Sequence, residues 1–172
     1  KIIKLPDQIS SEAEIKEHFK NEMSFITTYF ADDTPRHEIT YREHSGRLRP
    51  AIDTEEVMRT AYQTSPESKA SFYRQLDAFL QKCCGVYEAT LNPATQEGLV
   101  PDLTGNSFAF GTTASQPIPR LFLVDFYPTI LCKSDRLAEL ISGIINQFPG
   151  DSGQFFQSSR KEIKRILNLY QQ

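Results

Sequence analysis

Apolar side chains recur at helical spacing in several long stretches of the chain. In the first, Ser11 and Glu14 have the spacing of a capping box, and the pattern predicts a helix from about residue 11 to residue 30. The clearest stretch predicts a core helix over about 67–91, with apolar positions on one face. These positions are Phe72, Leu76, Phe79, Leu80, Cys83, Tyr87 and Leu91.

Two more helices are predicted at the end of the chain, separated by the turn-forming segment 149–153. One carries Leu137, Leu140, Ile141, Ile144, Ile145 and Phe148. The other carries Phe156, Ile163, Ile166, Leu167 and Tyr170.

Shorter apolar segments predict strands between these helices. Residues 1–6 indicate an opening strand, and residues 38–41 a short strand that precedes a polar stretch over 42–50. Asp53 or Thr54 then favours the start of a short helix that reaches about Tyr62. The first third of the chain is therefore expected to mix helices and strands.

Two further strands are predicted near residues 107–110 and 120–126, joined by a turn over 111–119. The predicted elements are thus helices mixed with short strands. At 172 residues the length is that of a single domain. The whole chain, 1–172, is therefore interpreted as one domain.

Composition narrows the classes of function. The apolar fraction is 39%, the net charge is −3, and no apolar run is long enough to cross a membrane. These values predict a soluble, cytoplasmic protein without the cationic surface that nucleic acid or an anionic membrane requires. The three cysteines lack metal-ligand spacing and are expected to be ordinary thiols of a reducing compartment. Because the chain begins without Met inside an apolar segment, preceding residues are expected to be missing.

Two carboxylates and an amide stand beside the predicted strands. The strand 120–126 ends at Asp125, and the loop before the preceding strand carries Asp102 and Asn106. Oxygen ligands of this kind on loops suit a divalent cation held against phosphate oxygens. Two simpler interpretations stay open: Asp102 as a turn residue and Asp125 as a helix cap.

Another carboxylate, Glu22, shares the apolar stripe of the first helix. A carboxylate that faces a core needs a cationic partner, because burial of an unpaired charge costs several kcal/mol. Lys4, on the opening strand, is an available partner. The alternative is that Glu22 lies at the edge of the stripe and reaches water.

The order of these residues resembles that of the protein-kinase-like fold. In that family a strand Lys is held by a Glu on the next helix, as Lys4 and Glu22 would be. A long helix then precedes a loop with Asp and Asn, and a hairpin delivers the metal-binding Asp, here in the sequence Asp125-Phe126-Tyr127. The resemblance is closer to small-molecule kinases of the aminoglycoside-phosphotransferase type than to regulated protein kinases. It implies the α+β class, with a reduced or truncated N-terminal lobe over 1–50 and a mainly helical C-terminal lobe over 51–172.

The resemblance also implies a role for each of these residues. Asp102 would orient the acceptor hydroxyl and accept its proton, while Asn106 and Asp125 would hold Mg²⁺ on the phosphates of ATP. Lys4 would contact those phosphates, and Glu22 would fix its rotamer. The implied partners are a nucleotide and a hydroxyl acceptor of unknown identity, without nucleic acid or membrane.

Two other functions stay open from the sequence. A kinase-like domain that no longer catalyses would serve as a nucleotide-binding or interaction module. A binding domain unrelated to kinases would use the same polar residues only as turn formers.

Overall fold

The computed structural model describes residues 11–104, 106–148 and 151–170. Four α-helices lie in this part of the chain: α1 (Glu12–Phe30), α2 (Pro66–Ala89), α3 (Ser134–Ile145) and α4 (Gln157–Tyr170). Single 3-10 turns cover Ala31–Asp33, Tyr62–Thr64 and Asp151–Gln154. The four helices predicted from apolar periodicity are all confirmed within a few residues.

Seven strands lie between these helices in the described part of the chain. They are β1 (His37–His44), β2 (Arg47–Thr54), β3 (Met58–Arg59), β4 (Gly98–Val100), β5 (Phe108–Thr112), β6 (Arg120–Leu123) and β7 (Ile130–Cys132). They form three small antiparallel sheets, ordered β1-β2, β3-β5-β6 and β4-β7. Helices with separate antiparallel sheets agree with the predicted α+β class. The predicted opening strand over 1–6 lies outside the described residues.

The N-terminus of α1 is the capping box that the sequence predicts. The Glu14 amide donates to Ser11 Oγ at 3.2 Å, and the Ser11 amide donates to Glu14 Oε2 at 3.1 Å. Two of the backbone donors at the start of the helix are satisfied in this way. Phe19, Ile26 and Phe30 then point into the core with no more than 1% of their surface exposed.

The polar stretch 42–50 is the centre of a β-hairpin, contrary to the expected end of the strand at residue 41. β1 and β2 pair over eight positions, from His37↔Thr54 to His44↔Arg47. Ser45 and Gly46 form the two-residue turn, both with positive φ (54° and 71°). A turn of this type needs positive φ at both positions, which glycine adopts without strain.

The short helix predicted from Asp53 or Thr54 to Tyr62 is wrong. β2 continues to Thr54 and pairs with β1, and β3 pairs with β5. The backbone hydrogen bonds of this segment therefore go to neighbouring strands. The Thr60 amide also donates to the Phe110 carbonyl at 2.8 Å. The backbone groups of this segment are therefore satisfied by strand pairing and not by the predicted helix.

Helix α2 is the centre of the core. Leu80, Cys83 and Tyr87 on its buried face are fully enclosed. One connected group of apolar side chains extends from α1 through α2 to α3 and α4. None of the described helices has the length and apolarity needed to cross a membrane.

Candidate functional site

Two loops that carry the predicted site residues lie side by side. The first loop, 101–107, joins β4 to β5, and the second, 124–129, joins β6 to β7. β4 pairs with β7, and β5 pairs with β6. Because both pairs are antiparallel, each loop begins beside the end of the other.

The strand register places the ends of the loops next to each other. Val100, just before the first loop, pairs with Ile130, just after the second. Phe108, just after the first loop, pairs with Leu123, just before the second. Paired residues of antiparallel strands have Cα atoms about 4.5–5.5 Å apart. The structure therefore brings the loop of Asp102 and Asn106 against the loop of Asp125.

Ser107 is the contact between the two loops. Its carbonyl accepts hydrogen bonds from the amides of Val124 at 2.7 Å and Asp125 at 3.4 Å. Its own amide donates to the Thr104 carbonyl at 3.0 Å, and its hydroxyl lies 2.9 Å from Thr104 Oγ1. Ser107 is completely buried. One residue thus closes the turn of the first loop and holds the backbone of Asp125.

Burial differs among the three predicted site residues of these loops. Asp102 and Asp125 are half-buried, and each is next to a buried apolar residue, Leu103 or Phe126. Asn106 is exposed. Their apolar neighbours are anchored in the core, so the two aspartates lie where the loops meet the surface.

Helix α1 is tied to the second loop through Glu22. Its Oε2 atom accepts two hydrogen bonds from Thr129, from the amide at 2.9 Å and from the hydroxyl at 2.7 Å. Glu22 is half-buried, so it does not simply extend into water. Lys4 lies outside the described residues, and its pairing with Glu22 stays a prediction.

Tyr127 adds a second contact between α1 and this loop. Its ring packs on Phe19 with centroids 5.5 Å apart, and its hydroxyl lies 3.3 Å from His18 Nε2. Burial raises the pKa of Tyr127, and the nearby charge of Glu22 raises it further. The tyrosine is therefore a neutral phenol that holds the loop against the helix.

Helix α2 positions the strands on which both loops depend. The Leu121 amide of β6 donates to Gln75 Oε1, and the Leu99 amide of β4 donates to Thr90 Oγ1, at 2.9 and 2.8 Å. Gly98 lies so close to α2 that an added Cβ would be 2.4 Å from the Tyr87 carbonyl oxygen. β4 therefore packs on α2 at a distance that only glycine allows.

The sequence did not predict the residues whose hydrogen bonds hold the two loops and β4 in place. These hydrogen bonds, made by Ser107, Thr129 and Thr90, join residues that are not neighbours in the chain, and a single serine or threonine shows no sequence periodicity. Gly98 is the one residue with a local signal, because a glycine inside a strand often marks a close backbone approach.

The chemistry available at the two loops is that of oxygen ligands. In the described part of the chain, no three side chains of His, Cys, Asp or Glu form a group that could hold a metal. A cation here would thus depend on the amide of Asn106 and the carboxylate of Asp125, completed by oxygens of its ligand and by water. Mg²⁺ is usually bound in this way, through one or two carboxylates plus phosphate oxygens and water.

Comparison of the chain with protein-family models, with curated proteins and with solved structures finds no match.

Proposed function

We propose that this chain is an ATP- and Mg²⁺-dependent phosphotransferase of kinase-like fold that acts on a hydroxyl of a small molecule or a protein. One observation carries the proposal. The Ser107 carbonyl accepts hydrogen bonds from the backbone of Val124 and Asp125, which holds the loop of Asp102 and Asn106 beside Asp125. Phosphoryl transfer needs such oxygen ligands on adjacent loops, since the enzyme contributes mainly position and charge.

The proposed roles are those that the resemblance to the kinase-like fold implies. Asn106 and Asp125, on facing loops, would hold Mg²⁺ that bridges the phosphates of ATP. Asp102, half-buried on the same loop as Asn106, would orient the acceptor hydroxyl and accept its proton. Lys4 would contact the phosphates.

Glu22 is proposed to do more than hold Lys4. Through Thr129 its carboxylate fixes the end of the loop that carries Asp125, four residues earlier. A carboxylate that accepts two hydrogen bonds from one residue restrains both its backbone and its side chain. Glu22 is thus a positioning residue for the proposed metal ligand, irrespective of its partner on the opening strand.

The order of elements supports the same family. A long core helix, α2, is followed by a loop with Asp and Asn, and the β5-β6 hairpin then delivers Asp125. Kinase-like enzymes use these parts in this order. The kinase-like fold, its division near residue 50 and the likeness to small-molecule kinases are part of this proposal.

A second candidate function is a kinase-like module that binds a nucleotide without catalysis. Asn106 follows Asp102 by four positions, whereas the kinase motif has five. Tyr127 replaces the glycine of the metal motif, and its contacts with His18 and Phe19 hold this loop against α1. A loop held in this way has less freedom to rearrange during turnover.

Thermal unfolding with and without ATP and Mg²⁺ tests both functions. A ligand at 100 times its Kd stabilises the native state by about 2.7 kcal/mol, which is roughly 5–10 °C for a chain of this size. We expect this shift with ATP and Mg²⁺ together and a smaller one with ATP alone. No shift at millimolar ATP and Mg²⁺ would contradict both candidates.

Transfer of labelled phosphate from ATP to water or to a hydroxyl acceptor distinguishes the two candidates. The catalytic proposal expects turnover that Asp102→Asn lowers by at least two orders of magnitude while the thermal shift is retained. A thermal shift without any turnover would favour the non-catalytic module.

A further inference from the structure

A separate cavity of about 290 Å³ lies beside the β3-β5-β6 sheet, between the segment after β3, the start of α2 and the end of α3. Most of its walls are aromatic or aliphatic, with Tyr62, Phe72, Phe110 and Phe148 among them. None of the predicted site residues that the structure describes lines it. It is a different feature of the molecule from the two loops.

The aromatic walls of the cavity hold one another in place. Tyr62 stacks on Phe72 with centroids 4.1 Å apart and planes at 18°. Phe148 meets both rings edge-on, at 6.3 and 5.4 Å, and Phe110 meets Phe72 edge-on at 5.6 Å. Rings that pack on one another in this way form a preorganised aromatic wall against which a planar ligand can pack.

The volume of the cavity limits the size of a ligand. An apolar cavity of about 150 Å³ already accepts benzene, so this one has room for two fused rings or for one ring with a polar substituent. It is at the lower end of the size range of small-molecule pockets. A large or extended ligand would not fit inside it.

This largely apolar cavity has a basic side chain at its edge. Among the described residues that line it, Arg59 is the one charged side chain; it is exposed, and none of the ion pairs between described residues involves it. Its backbone is fixed because Arg59 pairs with Gly111 of β5, where an added Cβ would be 2.1 Å from the Met58 carbonyl oxygen. The side chain of Arg59 therefore starts from a fixed backbone position at the cavity, and a guanidinium is suited to bind a carboxylate there.

We infer that this cavity binds a small aromatic carboxylate, with the ring packed against its aromatic wall and the carboxylate on Arg59. The aromatic walls select a planar ring, the volume limits it to one or two rings, and the guanidinium selects the anionic group. This inference goes beyond the proposed phosphotransferase and does not depend on it, because it uses none of the residues of the two loops.

Ligand-observed NMR titration with two matched probes tests the inference. The probes are 2-naphthoate and its neutral analogue 2-naphthamide, which have the same ring system and differ in charge. The wild type should bind 2-naphthoate at least ten-fold more tightly than 2-naphthamide. Arg59→Gln should abolish that preference, while Arg47→Gln, at the exposed turn of the β1-β2 hairpin, should leave it unchanged.

A variant that fills the cavity and a competitor complete the test. Ala61→Trp places a bulky ring at an exposed lining position and should weaken the binding of both probes. Three results would overturn the inference: no saturable binding up to 10 mM, equal affinity of the wild type for both probes, or a preference for 2-naphthoate that survives Arg59→Gln. Displacement of 2-naphthoate by ATP and Mg²⁺ would also overturn it, because the cavity would then take the base of a nucleotide.

Discussion

Removal of the hydroxyl from Thr90, the residue that caps the C-terminus of α2, should loosen the strand that leads into the candidate site. Thr90 Oγ1 accepts a hydrogen bond from the Leu99 amide at 2.8 Å and donates to the Val86 carbonyl at 2.8 Å. Thr90→Val keeps the shape of the side chain but removes both interactions. The Leu99 amide then lies without its acceptor between Gly98 and Val100, which are both buried.

The expected loss of stability follows from that amide. A buried donor left without a partner costs about 1–3 kcal/mol, and the Val86 carbonyl keeps its hydrogen bond from the Thr90 amide at 3.0 Å. A loss of about 2 kcal/mol corresponds to roughly 4–8 °C in Tm for a chain of this length. Urea unfolding should show a lower midpoint with an unchanged m-value.

A matched variant and a local probe make the test specific. Thr90→Ser keeps the hydroxyl and loses only a methyl group, so it should cost less than Thr90→Val. Hydrogen exchange of the Leu99 amide should accelerate in Thr90→Val and stay slow in Thr90→Ser. Equal losses in the two variants, or unchanged exchange in Thr90→Val, would show that this hydrogen bond does not hold β4 on α2.

Three further predictions concern packing, a buried carboxylate and the thiols. Gly98→Ala should cost about 1–3 kcal/mol in urea unfolding because its methyl would overlap the α2 backbone, whereas Gly143→Ala, with no atom within 4 Å of its added methyl, should be neutral or stabilising. Asp77→Ala should cost about 2–4 kcal/mol by calorimetry, since its carboxylate accepts from the Ser159 amide and hydroxyl at 3.1 and 2.5 Å in the core; a loss below 0.5 kcal/mol would contradict this. Burial raises the pKa of the Cys84 thiol to about 12. Because the thiol of the unfolded chain ionises at lower pH, the contribution of neutral Cys84 to the free energy of unfolding is fully present below about pH 8.5 and is lost as the pH rises toward 12. Unfolding midpoints between pH 8 and 11 should therefore fall less steeply in Cys84→Ala than in the wild type.

The helices could be predicted from the sequence because their signals are local and repeated. The capping box at Ser11 and the apolar face of α2 depend on residues three or four positions apart, and the structure confirms both. The β1-β2 hairpin was missed because its strands lack clear alternation, although Ser45-Gly46 is a turn signal. β4 and β7, at three residues each, are too short to show a period.

The candidate site was predictable only in part for the same reason. Asp102 and Asp125 stand out because each lies beside an apolar strand, and the antiparallel register brings their loops together. Their attachment through Ser107 and Thr129 depends on the tertiary fold, which joins Thr129 to a residue 107 positions earlier in the chain. Residue spacing in the sequence cannot predict a contact between residues so far apart in the chain.

Binding of Mn²⁺ in the presence of ATP, followed by electron paramagnetic resonance, tests the central claim most directly. Mn²⁺ takes the same oxygen ligands as Mg²⁺. The control is Asp32→Asn, an exposed carboxylate in the 3-10 turn after α1. We predict that the wild type and Asp32→Asn bind one Mn²⁺ in the protein–ATP complex and that Asp125→Asn weakens this binding at least ten-fold. Equal Mn²⁺ binding by the three proteins, or none by the wild type, would contradict the assignment of Asp125 as a metal ligand.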